Sequence, residues 1–364
     1  MTEHHRNSVP PTISQVAQAA GVGRATVART LGGYGSVSAS TRDRVMRAAK
    51  ELGYRPNAVA RSMTTGETKT LGLVLADVGN PYFAGVLKAF TDTVHKQGYD
   101  VLVLSTEEDL AKEADAVGVL VDKQVDGLVL ASAASRNAPP PHLELVRARG
   151  IPIVLVDRLF DGVDIDTVVI NNREAAREAV SDLIGAGHRR IGFVWGPVTV
   201  EPATSLAEMD EVIARSLSSD GERLRGYLDA LEKAGIDFDT SLVTHVLKNE
   251  HQATRAVIGM LSLADPPTAI FATESDAMVG AIRALRQMGL SYPEDVSLIG
   301  FDDSSWATIM SPPLSMVSQP LEQLGRLTAD CLLERIKDTA APSTTHVLEA
   351  TFMPRASVAA PRRR

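Results

Sequence analysis

Thr12-Ile-Ser-Gln-Val-Ala-Gln-Ala-Ala-Gly21-Val-Gly-Arg-Ala-Thr-Val-Ala-Arg-Thr-Leu31 is the stretch from which the rest of the chain is read. Ile13, Val16, Ala17 and Ala20 fall at i, i+3, i+4 and i+7, one face of a short helix. Thr12 and Gln15 stand in the T-x-x-Q relation of a capping box, which marks the helix start. Gly21 falls where that helix must end, because glycine enters the left-handed region without steric cost. A second short helix over 24–31 turns Val27 and Leu31 inward and leaves Arg24, Ala25, Thr26 and Arg29 outside. Two such helices joined by a Gly-containing turn make a helix-turn-helix pattern. The four outward side chains suit base edges and phosphates in a major groove. A plain helical hairpin with a solvated basic face has the same periodicity, so the surroundings must decide.

Charge is the first of those surroundings. Up to Lys69 the sequence has ten Lys+Arg against four Asp+Glu, a balance of +6, and the remainder has 27 against 41, or −14. A basic head on an acidic body fits a small polyanion-binding module attached to something with another task. At 364 residues, 44% hydrophobic and 23% charged, the chain has room for two or three globular domains. The lone Cys331 excludes an internal disulfide and fits a reducing cytosol, with a buried small hydrophobe as its role. The first dozen residues are polar, contain Pro10-Pro11 and lack an apolar core, so no signal peptide is expected. No apolar run is long enough to span a bilayer, and a cytoplasmic location without membrane partners is expected.

Beyond the glycine-rich turn Gly32-Gly-Tyr-Gly35, a third helix is predicted. Ser38 or Ser40 caps it, Val45, Ala48, Ala49 and Leu52 form its inner face, and Gly53 ends it. Asn57-Ala-Val-Ala-Arg-Ser-Met63 is a helical fragment too short to be stable alone in water. It is followed by the polar linker 64–69, which makes it a candidate for folding on contact with DNA.

From residue 71 the pattern alternates between strand and helix. Apolar runs at 71–75, 101–104, 127–130 and 153–156 read as buried strands separated by helices near 81–97, 108–123 and 140–149. A second series is predicted at 167–170, 190–194, 242–246, 268–271 and 296–300, with helices near 172–186, 222–234, 250–263 and 277–289. Such alternation implies parallel sheets with right-handed crossovers, here in two similar lobes. Residues 197–220 read as a partly helical surface excursion or lid.

Ligands of doubly wound sheets bind beyond the carboxyl ends of the strands. There the sequence has Asp77 to Phe83 after the first strand, Asp157-Arg158 after the fourth, and Phe301-Asp302-Asp303 after the ninth. Two aromatics with carboxylates, an Arg and an Asn suit a sugar, stacked on a ring and held by paired hydroxyl hydrogen bonds. Strand-end Asp is also common as a helix cap. No dinucleotide fingerprint, Walker A, HExxH or G-x-S-x-G sequence occurs, and the eight His lack ligand spacing, so neither enzyme, cofactor nor metal is indicated.

At this point the residues resemble the LacI/GalR family of transcription regulators, from about residue 12 to 355. The matches in the first part are Thr12-Ile-Ser-Gln-Val-Ala, Ala20-Gly-Val, Ala25-Thr-Val, Val37-Ser and Leu52-Gly-Tyr-Arg-Pro-Asn57. Further on stand Asn80-Pro-Tyr-Phe83, Val156-Asp-Arg158, Gly187-His-Arg-Arg-Ile-Gly192 and Arg223-Leu-Arg-Gly-Tyr227. Pro293-Glu-Asp-Val-Ser297, Gly300-Phe-Asp-Asp303 and Gln319-Pro320 complete the series.

The resemblance implies a three-helix DNA-binding head (1–56), a hinge helix and linker (57–69) and two doubly wound lobes like those of periplasmic sugar-binding proteins (70–355); a C-terminal tail (356–364) is left, whose end Pro361-Arg-Arg-Arg364 is expected to be solvated. It implies a homodimer, or a dimer of dimers, on pseudo-palindromic operator DNA. The effector expected is a monosaccharide or polyol, with a nucleoside as the other option. DNA contacts are implied at Thr12, Arg24, Ala25, Thr26 and Arg29 in the head, and at Asn57, Ala60, Arg61 and Met63 in the hinge. Met63 stands where relatives wedge a leucine into the minor groove, and Gly23, Ala28 and Gly32 replace the usual polar residues.

Effector contacts are implied at Asn80, Tyr82, Phe83, Asp157, Arg158, Arg223, Asp302 and Gln319. The usual Asn-Asp pair after the eighth strand is absent. Either Glu274 and Ser275 or Ser275 and Asp276 replace it, the second being preferred because Ser275 would then cap the following helix. A sequence-specific regulator, a repressor modulated by a sugar-like effector, is therefore expected. The alternative is a solute-binding sugar receptor without a regulatory role, which would need a signal peptide and no basic head.

Overall fold

The structure is a computed structural model and describes residues 11–32, 34–54, 66–195, 205–245 and 249–362. The chain divides into two compact units that meet at Lys69 and Thr70. The hinge fragment 57–63 lies outside the described residues.

In the first unit, α1 (Ile13–Ala20) opens with a capping box. The Gln15 amide donates to Thr12 Oγ1, and the Thr12 amide donates to Gln15 Oε1 at 2.7 Å. Gly21 closes the helix in the left-handed region, with φ 63°. Helix α2 (Arg24–Gly32) runs one residue into the glycine-rich segment predicted to be a turn. It starts on the backbone of Gly23, whose carbonyl accepts from Thr26 and Val27. Ser38 caps α3 (Ala39–Leu52). Val16, Ala17, Ala20, Val27, Val45, Ala48 and Ala49 close one small core, with Leu31 half-buried against it. Leu52, predicted to point inward, is exposed, while Tyr54 beyond it packs against this core.

The second unit begins with β1 (Thr70–Leu75), α4 (Pro81–His95), β2 (Asp100–Ser105), α5 (Leu110–Asp122), β3 (Gly127–Leu130), α6 (His142–Ala148), β4 (Ile153–Val156) and β5 (Asp166–Ile170). The chain then crosses to a second lobe. That lobe holds α7 (Asn172–Gly185), β6 (Ile191–Trp195), α8 (Leu206–Arg215), α9 (Ser218–Lys233), β7 (Val243–His245), α10 (Glu250–Leu261) and β8 (Ala269–Ala272). It continues through α11 (Ser275–Met288), β9 (Ser297–Phe301), α12 (Ser305–Ile309) and β10 (Ser315–Ser318). Finally α13 (Leu321–Lys337) and β11 (Thr345–Leu348) return to the first lobe, and β12 (Thr351–Met353) goes back to the second.

Each lobe has a six-stranded sheet, in the orders β11-β5-β4-β3-β1-β2 and β12-β10-β9-β8-β6-β7. All neighbours pair in parallel except β10 with β12. Central strands β3, β4, β5, β6, β8 and β9 are buried throughout, as continuous apolar runs under helices on both faces require.

Three expectations change here. The run 101–104 is an edge strand with Leu102 and Val103 exposed, not a buried one. Strand β5, predicted to start the second series, joins the first sheet instead, between β4 and β11. The excursion 197–220 becomes, where described, α8 and the first turn of α9. Met209, Val212 and Ile213 of α8 are core residues, so that part is packed rather than a loose lid. Ahead of the end expected to be solvated, the segment that follows residue 355 is packed against the second lobe. Ser357 is fully buried, its hydroxyl accepting from the Ser315 amide and donating to the Leu298 carbonyl.

Two glycines let helices touch. A Cβ on Gly226 of α9 would lie 2.2 Å from the Arg173 carbonyl oxygen of α7, and one on Gly325 of α13 would lie 2.3 Å from that of Val86 on α4. The second sits beside the first lobe, the first within the second lobe.

Candidate functional site

The strand ends build the site. Asp157 follows the last residue of β4 with φ 70°, and Asp302 follows the last residue of β9 with φ 68°. Positive φ is uncommon outside glycine, and Asp and Asn are among the residues that tolerate it. Each carboxylate thus stands at the same place on its own sheet, and the lobes bring the two toward one another. Asp302 accepts from Gln319 Nε2 at 2.5 Å, and Gln319 lies in the second crossing between lobes. Its Oε1 is buried without a hydrogen-bond partner among the described residues. A bidentate pair from Arg355 to Asp303, at 2.8 and 2.6 Å, fixes the loop that carries Asp302.

Tyr82 and Phe83 occupy the first turn of α4, edge to face with centroids 4.9 Å apart. Asn80 caps that helix, its side-chain oxygen accepting from the Tyr82 amide at 2.9 Å. The Tyr82 hydroxyl is buried close to Asp157 and Asp302. Burial foremost, then Asp157, then Asp302 push its pKa well above the ordinary value, against the opposing charge of Arg223. Tyr82 therefore stays a neutral hydroxyl throughout the physiological range.

Arg223 of α9 is buried, donates to Asn172 Oδ1 (2.9 Å) and the Thr273 carbonyl (2.7 Å), and lies 3.8 Å over the Phe301 ring. Such a cation–π contact helps hold the guanidinium at the base of the site. A cavity of about 380 Å³ opens between the lobes, lined by residues that include Asn80, Phe83, Ser275 and Asp276. A smaller recess of about 30 Å³ has Tyr82, Asp302 and Gln319 on its wall.

Two site expectations are corrected. Ser275 does not cap α11. The cap is Glu274, without a side-chain cap bond, and Ser275 is already the first helical residue. The capping argument for Ser275 and Asp276 over Glu274 and Ser275 therefore falls, and all three line the cavity. Arg158 is nearly fully buried and bound to Glu108, Asp157 and the Ser132 carbonyl rather than presented to the cavity. Sequence reasoning missed Glu108, although it lies beyond the end of β2, where the strand-end rule points.

In the head, Arg24, Ala25 and Arg29 are exposed on α2, Thr26 is half-buried, and Thr12 is committed to its capping box. The Arg29 stem passes over Gly35, and the Tyr34 ring fills the space a side chain at Gly32 would need. Asn57, Ala60, Arg61 and Met63 lie outside the described residues. No group of three His, Cys, Asp or Glu that could hold a metal occurs among the described residues, and no described helix is long and apolar enough to cross a membrane.

A small basic helix-turn-helix unit joined to a two-lobed body with a polar interlobe cavity defines a sequence-specific DNA-binding regulator with a small-molecule effector domain. The comparisons agree. Residues 12–57 match the bacterial regulatory proteins of the lacI family, and residues 68–355 match the periplasmic binding proteins and sugar binding domain of the LacI family. The ribose operon repressor of Haemophilus influenzae is 33% identical over 95% of this chain and 98% of its own length. The HTH-type transcriptional regulator CelR of Thermobifida fusca is 34% identical over 95% and 98%. A solved complex of transcriptional regulator CelR with cellobiose aligns with a TM-score of 0.69 and 32% identity, covering 95% of this chain and 99% of that one. The protein belongs to the LacI family, whose members are regulators and not enzymes.

Proposed function

We propose that the protein is a repressor that binds a pseudo-palindromic operator as a homodimer and is modulated by a neutral, hydroxyl-rich small molecule. A monosaccharide or polyol comes first, a nucleoside second. The observation that carries this reading is the convergence of Asp157 and Asp302 from the two lobes, with Tyr82, Arg223 and Gln319 around them. Carboxylates at such a junction take vicinal hydroxyls in pairs, an aromatic face takes the C–H surface, and the Gln319 Oε1 gains the donor it lacks. A relative named for the ribose operon and a solved cellobiose complex support a saccharide.

Bound between the lobes, the ligand favours one relative lobe arrangement. It changes operator affinity only by its differential affinity for the two arrangements. Arg24 suits guanine and Ala25 a thymine methyl, while Thr12, Thr26 and Arg29 hold phosphate. Asn57, Ala60, Arg61 and Met63 are assigned to the hinge that folds against the minor groove. The exposed Leu102 and Val103 of edge strand β2, with Leu110 and Val119 of α5, support a dimer contact on that side. DNA as a target implies a cytoplasmic site of action.

The test is fluorescence anisotropy with promoter DNA of the protein's own and neighbouring genes at fixed salt, with and without a panel of sugars, polyols and nucleosides. Sequence-specific binding shifted at least about tenfold by one neutral compound is expected. Weak, salt-sensitive binding to every sequence alike overturns the operator role.

A further inference from the structure

Arg158 lies behind the cavity wall, and the face it would offer to an anion there is already taken by Glu108, which lines the cavity. Arg158 Nη1 and Nη2 each donate to an oxygen of Glu108 at 2.6 Å, in the two-pronged geometry that a ligand carboxylate would adopt. Nη1 also donates to the Ser132 carbonyl at 2.6 Å, and Nε to Asp157 at 3.2 Å. These bonds exhaust most of the donors of a guanidinium.

Both of its main partners are held from behind. Glu107 and Glu108 are consecutive left-handed residues, with φ 53° and 60°, in the turn between β2 and α5. The Glu107 amide donates to the Ala76 carbonyl, and Asp109 caps α5 directly after the turn. On the other side, the fully buried Glu113 carboxylate accepts from the Ser132 hydroxyl (2.7 Å) and the Ala133 amide (2.6 Å), and meets His142 Nε2 at 2.7 Å. The carbonyl that faces Arg158 is thereby fixed.

Arg223, at the base of the site, is likewise committed, to Asn172 Oδ1 and the Thr273 carbonyl, and the wall of the cavity of about 380 Å³ is acidic. Its lining includes Asp77, Glu107, Glu108, Glu274 and Asp276 and no Lys or Arg.

We propose that Glu108 is a specificity-determining residue: by occupying Arg158 it makes the effector cavity accept uncharged saccharides and refuse those that carry a carboxylate or phosphate. Rejection by a built-in like charge is a standard route to specificity. The proposal rests on the effector-site reading above and adds the charge class of the ligand.

The experiment is calorimetric titration of the full-length chain with matched pairs: ribose and ribose 5-phosphate, glucose with glucuronate and glucose 6-phosphate, cellobiose and cellobionate. The wild type is expected to bind a neutral member at least about tenfold more tightly than its anionic counterpart. Glu108→Ala and Glu108→Gln move that ratio toward the anion by about tenfold or more, and Glu108→Asp, which keeps the charge, restores rejection. Circular dichroism and DNA binding show that each variant is folded. An unchanged ratio in the folded Ala and Gln variants overturns the proposal alone, as does wild-type binding of an anion as tight as its neutral partner. If no saccharide of either kind binds the wild type, the effector-site reading fails and this inference with it.

Discussion

Asp157 combines a conformation that disfavours side chains with a charge the site uses, and the two can be separated. Asn tolerates the left-handed region about as well as Asp, whereas a β-branched residue does not. Asp157→Asn should stay within about 1 kcal/mol of the wild type in urea unfolding and lose about tenfold in saccharide affinity. Asp157→Val should lose a further ~1–3 kcal/mol of stability through backbone strain. Equal stability of the two variants would remove the backbone argument. At this scale the sequence shows Asp157 and Asp302 because each closes an uninterrupted apolar run. Glu108 stays hidden because β2, an edge strand, looks like its buried neighbours in a local reading. The cap at Glu274 is missed because a serine ahead of a helix is the usual sign of a cap, and only the backbone shows that the helix has already begun at Ser275.

Among elements, helix pairing depends on missing side chains. A methyl group at Gly226 meets the Arg173 carbonyl and the Arg177 amide, which are backbone and cannot rotate away. Gly226→Ala should therefore destabilise the protein by about 1–3 kcal/mol. Gly259→Ala on α10, with nothing within 4 Å, should stabilise it by about 0.5–1 kcal/mol. Chemical denaturation of the two variants checks the pair, and a loss at Gly259 as large as at Gly226 would contradict it. The central strands are legible to within a residue because full burial demands continuous apolar sequence. The last three strands are not, since Ser315–Ser318 and Thr345–Leu348 are short and mix polar with apolar residues. Which sheet a strand joins is a long-range matter, as the reassignment of β5 shows.

Across the whole molecule, the lobes are tied at several levels. The chain crosses between them after β5, before α13 and between β11 and β12. The Leu159 amide also donates to Ser218 Oγ at 2.8 Å, from one lobe to the other. Far from this junction, buried His188 joins the starts of β8 and β9 to the C-terminal segment. Its Nδ1 lies 2.8 Å from Thr268 Oγ1, and its Nε2 donates to the Ala359 carbonyl at 2.9 Å, which fixes the neutral tautomer. Burial lowers its pKa from the ordinary 6.5, against the raising effect of that carbonyl. The unfolded chain takes the proton first as pH falls. The stability His188 provides is therefore whole above about pH 6.5 and is lost as pH drops through the lower folded-state value. The unfolding midpoint of the wild type should fall more steeply between pH 7 and 5 than that of His188→Gln, and equal slopes would exclude this residue. The late position of β11, β12 and Ser357 also sets an order of assembly during synthesis. The core of the head is closed by residue 54, but both sheets wait for strands some 300 residues later. At roughly 5–20 residues per second, a nascent chain carries a finished DNA-binding head for on the order of 15–60 s before the effector lobes can be complete. During that interval the part that grips the operator exists without the part that governs it.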